Sequence, residues 1–267
     1  MVMRIPFLSD FLSSRARKSL IFDIGMNNGN DTDFYLAKGF RVVAVEANPF
    51  LFKAAQGRFS EPLANGQLII LNEGIWNTEG ELPFYENLDN DHWSSFDRAY
   101  GTRQDSRYKV HNIACRRIES LFERFGTPHV MKIDVEGADK HILAEMKNLK
   151  NRPDFISVEE YGVETLKALR ELGYERFTIV PQNDKSWCVP PKPAREGRYA
   201  AHHFDGQDSG LFGHELPFDW LPYQRACEQF CTTVRNEAGD YVGRENEWYD
   251  VHATFDRFAG FKMTLGG

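Results

Sequence analysis

Between Ser19 and Val180 the chain alternates short unbroken apolar runs with segments whose apolar positions recur every three or four residues. Leu20-Ile21-Phe22 is the first run, and a loop rich in Gly, Asn and Asp follows it. The pattern predicts a short helix from about Asp31 to Lys38, ended by Gly39 where the backbone must turn left-handed. Arg41 to Val45 is the second predicted strand. Pro49 then opens a helix with Leu51, Phe52, Ala55 and Phe59 on one face. Leu68 to Leu71, Val130 to Ile133, Phe155 to Val158 and Phe177 to Val180 read as four more strands. Two amphipathic helices separate the last three. One carries Ile142, Leu143, Met146 and Leu149; the other carries Val163, Leu166, Leu169 and Leu172, closed by Gly173.

Continuous apolar strands separated by amphipathic helices predict a doubly wound α/β domain, with a mostly parallel sheet covered on both faces. The stretch from Glu73 to about Ile118 breaks the rhythm. Its turn pair Glu79-Gly80 and the alternating Leu82-Pro83-Phe84-Tyr85 predict a hairpin insertion. After Pro181 the composition shifts. Pro190, Pro191 and Pro193 exclude a central strand there, and aromatic and histidine side chains crowd the residues beyond, Tyr199, His202, His203 and Phe204 among them. Three parts follow: a lead-in segment over 1–18, the α/β domain over 19–180, and a loop-rich elaboration over 181–267. That elaboration either completes the sheet at one edge or covers a ligand cleft.

With 267 residues and 42% hydrophobic content, the chain has enough apolar material for a sizeable core. Its net charge of −7 argues against duplex nucleic acid or an anionic membrane as partner. The densest basic cluster, Arg15, Arg17 and Lys18, is too small to reverse that. No apolar run approaches the roughly 20 residues of a spanning helix. The first 18 residues also lack the uninterrupted apolar stretch of a secretory signal. Cys115, Cys188, Cys227 and Cys231 are too sparse for a disulfide framework. Cys227 and Cys231, four apart on a predicted helix, lack the second pair a zinc site needs. Free thiols and a cytoplasmic location are the expectation.

In open α/β sheets ligands bind beyond the carboxyl ends of the strands, so those ends hold the candidate chemistry. The first strand runs into Asp23-Ile24-Gly25-Met26-Asn27-Asn28-Gly29. Gly25 and Gly29 permit a sharp turn and close approach of backbone to ligand. The second ends in Val45-Glu46-Ala47, at a spacing from Gly29 that suits an acid gripping ribose hydroxyls. Two cofactor classes fit that pattern, and so does a plain turn with capping acids. Asp31 and Asp33 at the helix start would repel a dinucleotide's diphosphate, whereas S-adenosylmethionine brings cationic groups. Beyond the fourth and fifth major strands stand Asp134 and Glu136, then Glu159 and Glu160, all predicted to face one cleft. Glu136 and Asp139 also fit a simpler role in charging the next helix's first turn.

The first strand–loop unit with Val45-Glu46-Ala47-Asn48-Pro49 resembles the cofactor half of a class I S-adenosylmethionine-dependent methyltransferase. Lys132-Ile133-Asp134-Val135-Glu136-Gly137-Ala138-Asp139, followed by Ser157-Val158-Glu159, resembles the FkbM methyltransferase family over about Leu20 to Val180. Ser94-Ser95 resembles the family's paired serines, while Met26 stands where a small residue is usual. The resemblance implies that Asp23, Gly25, Asn27, Asn28 and Gly29 bind the methionine portion of the cofactor. It implies that Glu46 with Ala47 holds the ribose, that Asn72, Gly74 and Ile75 border the adenine, and that Ser95 joins the cofactor set. It also implies methylation of hydroxyl oxygens, on sugars of bacterial glycans or on secondary metabolites.

Methyl transfer to an alcohol needs an aligned hydroxyl and a proton acceptor. Asp134 and Glu159 are the candidate bases, with Glu136 beside them. A divalent cation held by these carboxylates is a second route to an acidic hydroxyl, though no metal ligands are assigned. His202, His203 and His252 are further candidates in the tail. Trp76, Trp93 and the aromatic tail suit stacking on sugar rings, which favours a saccharide acceptor over another small molecule. An NAD-binding oxidoreductase and a non-catalytic methyltransferase-like module are the competing readings. Oligomeric state is not legible.

Overall fold

The computed structural model describes residues 19–259, so the expected lead-in segment 1–18 lies outside the described residues. Five strands form the parallel heart of an eight-stranded sheet: β1 (Leu20–Ile24), β2 (Arg41–Val45), β3 (Leu68–Leu71), and, after an insertion, β7 (Val130–Ile133) and β8 (Phe155–Glu159). The insertion supplies β4 (Gly74–Ile75), β5 (Gly80–Asn87) and β6 (Tyr108–Arg116). Beyond β8 come β9 (Arg176–Pro181), β10 (Leu221–Pro222) and β11 (Tyr249–Thr254). Across the large sheet the order is β10-β9-β11-β8-β7-β1-β2-β3. From β1 the chain winds one way to β2 and β3, then the other way to β7 and β8. The switch point therefore falls between β1 and β7, where a cleft opens beyond the strand ends.

The predicted strands and helices fall where the periodicity placed them, and the helix after β1 spans Asn30–Ala37. The insertion is a three-stranded sheet rather than a lone hairpin. β5 and β6 pair antiparallel, and Gly74-Ile75 adds parallel to Cys115-Arg116. Several elements escaped the pattern, two of them large. The helix Ile118–Phe125 directly follows β6. The strand β11 lies within the sheet, antiparallel to both β8 and β9, with all six residues buried.

One face of the sheet buries Phe22, Ile24, Met131, Ile133, Ile156 and Val158 under the helices Ile118–Phe125, Asp139–Met146, Glu164–Glu171 and Tyr223–Thr233. The other face departs from the expected helical cover. Beside the Asn30–Ala37 helix, the loop-rich chain between β9 and β10 packs directly on Ile21, Val42, Val130 and Phe155. Aromatic rings replace helix periodicity there: Phe204 meets Phe34 edge-on at 4.8 Å, and Phe212 meets Tyr35 at 5.1 Å.

A buried loop must satisfy its backbone without a ladder, and carboxylates serve that need. Asp31 accepts from the Ser209 and Gly210 amides. Glu215 accepts from the Arg195 and Glu196 amides and from Lys38 Nζ at 2.8 Å. The Lys38–Glu215 pair has side-chain exposures of 1% and 0%, so losing either partner strands a buried charge. Lys38→Met or Glu215→Leu alone is expected to cost about 3–5 kcal/mol in urea unfolding, and the double replacement less than the sum. Single variants within about 1 kcal/mol of the native chain would contradict this role for the pair.

Candidate active site

A polar row crosses the large sheet near its carboxyl ends. The strand registers place Asp23, Lys132, Ser157, His252 and Thr178 side by side on β1, β7, β8, β11 and β9. All five are buried. Lys132 Nζ donates to the Gly25 carbonyl at 3.0 Å and lies 3.4–3.6 Å from carboxylate oxygens of Asp134, Asp31 and Asp23. Burial works against its charge, but Asp23, Asp134, Asp31 and Asp250 together hold the ammonium well above its ordinary range. Asp23 accepts from Thr32 Oγ1 at 2.6 Å, and burial pushes it up to about 6 against the pull of Lys132. His252 is driven down to about 3 by burial and by Lys185, so it sits neutral inside the sheet.

Above this row lie two adjoining cavities. The first, of about 640 Å³ and partly open to solvent, is bounded by Gly25, Asn27, Glu46, Ala47, Gly74 and Ile75 among others. Gly25 has φ +84°, and a Cβ there would overlap the Asp134 carbonyl, so only glycine keeps the first loop against the β7 end. Glu46 accepts from the Asn27 and Asn48 amides, both at 2.7 Å, and burial pushes it up to about 7. Five carboxylates (Glu46, Glu73, Asp91, Asp134 and Glu136) line this cavity, and no Lys or Arg does. A diphosphate would meet only like charge. An adenosine bearing a sulfonium would meet apolar wall from Ile75, Phe84 and Phe96, and acids that suit its cation.

The second cavity, about 1230 Å³ and also open to solvent, is bounded by Trp93, Arg103, Glu159, Gln182, Trp248 and Asp250 together with residues 206–209. His92, Asp134 and Glu136 line both cavities and form their common wall. Glu136 adopts φ +46° and takes a hydrogen bond from Arg103 at 2.8 Å. Burial nevertheless pushes it up to about 8. Glu159 is raised well above the carboxylate range by burial, then by Glu136, Asp134, Asp139 and Asp250. Among the described residues, no group of three or more His, Cys, Asp or Glu is arranged to hold a metal ion.

Several residues expected to touch the cofactor do not line the first cavity. Asp23 has 0% exposure beneath the Asn30–Ala37 helix, because its place in the strand directs it to Thr32 and Lys132. The Asn28 side chain bonds Gln207 and the Asn30 amide. Gly29 turns the chain into the helix at φ +83°, with Phe59 where a Cβ would stand. Asn72 Nδ2 donates to the Glu46 and Ala47 carbonyls, and Ser95 Oγ to the Glu136 carbonyl at 2.7 Å. Neither lines the first cavity, whereas Ser94 does.

Of the acids predicted to share a cleft, Glu160 turns away to Arg235. His202 packs on Phe34 and Phe204, His203 is exposed outside both cavities, and Trp76 stacks near Phe96 and His141. His92, Arg103, Trp248 and Asp250 had not been assigned to the site. His92 and Arg103 sit in short 3₁₀ turns of the insertion, where no periodicity marks them. Asp250 carried a usable signal in the alternation Tyr249-Asp250-Val251-His252.

Residues 23–176 match the family model described as the methyltransferase FkbM domain. No match was found among curated proteins. Among solved structures, similarity extends to methyltransferase FkbM from Methylobacillus flagellatus, at 14% identity and a TM-score of 0.40, over 60% of this chain. The chain spans only 39% of that protein's length. A precorrin-6y C5,15-methyltransferase from Geobacter metallireducens matches at 10% identity and TM-score 0.37, over 96% of this chain and 93% of its own. An S-adenosylmethionine-dependent O-methyltransferase from Thermotoga maritima matches at 12% identity and TM-score 0.35, over 96% and 67%.

The Gly25 turn sets the floor of the first cavity. Gly25→Ala is expected to abolish calorimetrically detectable binding of S-adenosylhomocysteine. Gly66→Ala, at φ +76° with nothing within 4 Å, is expected to keep it. Equal binding by both variants would contradict the assigned role of Gly25.

Proposed function

This chain belongs to the FkbM methyltransferase family, and from that premise we propose that it methylates a hydroxyl oxygen of a saccharide. The observation that carries the proposal is the common wall: His92, Asp134 and Glu136 border both cavities, so one chamber can seat the donor and the other the acceptor. Bound S-adenosylmethionine supplies a methyl group already activated on a positively charged sulfur. The protein's part is to align the hydroxyl and accept its proton.

Asp134 suits the proton acceptor. It directly follows β7 at the switch point, its side chain is 44% exposed, and Lys132 Nζ stands 3.4 Å from it. Glu136 is held by Arg103, and Glu159 borders the acceptor cavity alone. With the donor held in the first cavity, Asp134 would take the hydroxyl proton as the oxygen gains the methyl group and the sulfur leaves as a neutral thioether. Trp93 and Trp248 give the acceptor cavity two indole surfaces among hydrogen-bonding groups, a combination suited to a sugar ring. The excess of carboxylates over cations there disfavours a phosphorylated or otherwise anionic acceptor.

Asp134→Asn is expected to lower methyl transfer by about 10²–10⁴-fold while S-adenosylhomocysteine affinity stays within about two-fold. Turnover is read with labelled donor and extracted glycan fractions, by mass analysis for one added CH₂. If Asp134→Asn does not slow turnover, the assignment of the base is wrong. Label appearing only in non-carbohydrate small molecules would overturn the saccharide.

A further inference from the structure

We infer that Glu159 and Asp250 form an ammonium-binding subsite in the second cavity, so that the acceptor carries a free amine near the hydroxyl it presents. This inference rests on the second cavity being the acceptor's, as proposed above.

The strand register is the first observation. Asp250 on β11 stands directly opposite Glu159 on β8. Directly opposed residues project to the same face with Cβ atoms about 4.5–5.5 Å apart. Both border the second cavity and neither borders the first. Two like charges in that relation destabilise a sheet unless something lies between them.

The second observation is that nothing in the protein does. Asp250 is 7% exposed, and among the described residues neither its carboxylate nor that of Glu159 has a hydrogen-bond or ion-pair partner. Lys185 and Lys132 draw on Asp250 through space, but neither forms an ion pair or hydrogen bond with it, and the neighbouring cations bond to other groups. Arg103 binds Glu136, and Lys132 sits among Asp23, Asp31 and Asp134. Lys185 Nζ donates to Gln182 Oε1 at 2.6 Å and to the Ser209 carbonyl at 3.2 Å. Polar groups this deeply buried are ordinarily paired, so an unpartnered carboxylate facing a cavity points to a ligand that completes it.

An ammonium group meets both requirements. Its positive charge offsets the pair, and its three N–H donors reach both carboxylates. Burial pushes Asp250 up to about 7 and also raises Glu159 well above the carboxylate range, so the empty pair resists full ionisation and a bound cation would relieve that resistance. Trp248, 42% exposed and on the same cavity, adds an aromatic surface that attracts a cation. A neutral hydroxyl would satisfy one oxygen and leave the charge. The amine held in this way is protonated and therefore an anchor, not the atom methylated.

The test uses the full chain and three probe sugars, glucosamine, glucose and N-acetylglucosamine, by calorimetric titration with and without saturating S-adenosylhomocysteine. Glucosamine is expected to bind at least about ten-fold more tightly than the other two. Asp250→Asn, and separately Glu159→Gln, should erase that preference while affinity for S-adenosylhomocysteine stays within about two-fold. Equal binding of the three sugars, binding of none, or a preference that survives both substitutions would overturn the subsite. So would displacement of glucosamine by Mg²⁺ alone, which would make a metal ion the occupant. A protein that prefers glucosamine but fails to bind S-adenosylhomocysteine would support the subsite and remove the methyltransferase reading.

Discussion

The ammonium of Lys132 is the interaction on which the upper rim depends. It is buried on β7 inside the large sheet, beside the carbonyl of the first turn and within 3.6 Å of the carboxylates of Asp23, Asp31 and Asp134. An isolated charge in that position would be expelled or neutralised. Here the surrounding acids keep it charged, and it in turn lets Asp23, Asp31 and Asp134 stand close together. β1, β7 and the first helix thus meet at one buried cation. The backbone of Ser209 and Gly210 then closes onto Asp31, so the loop-rich layer is tied to the same point.

Above that anchor the side chains divide by task. Gly25, Glu46 and Ile75 shape one chamber; Glu159, Asp250 and the two tryptophans shape the other; Asp134 stands between them. The polar row beneath is as deeply buried as the apolar core around it, and it keeps the residues at the cavity floor in fixed register. Stability and chemistry are coupled here, because loosening Lys132 would release the loop geometry of the first chamber and the charge of the shared wall together.

Strands, major helices and the acids that line the first cavity beyond the strand ends were legible because each rests on local pattern. Apolar runs such as Val42-Val43-Ala44-Val45 admit few folds, and Gly25 before a helix start marks a tight loop. Roles that depend on tertiary direction were not legible. Asp23 and Asp134 both follow apolar strand residues, yet one points under a helix and the other into the cleft. Asn72 and Ser95 sit at the correct loops, but their side chains bind carbonyls instead of facing the cavity. β11 was hidden for a related reason. The alternation in Tyr249–Thr254 resembles a half-exposed strand, whereas its polar residues Asp250, His252 and Thr254 are buried on the face covered by loops. His92 and Arg103 lie in irregular turns that only the folded insertion brings to the rim.

The most direct measurement is a crystal structure of the full chain with S-adenosylhomocysteine. The account expects the nucleoside in the chamber bounded by Gly25, Glu46 and Ile75, with the chamber holding Trp93 and Asp250 left open beside it. Density for the compound in the second chamber, or none under saturating conditions, would contradict the division of the rim into donor and acceptor sites.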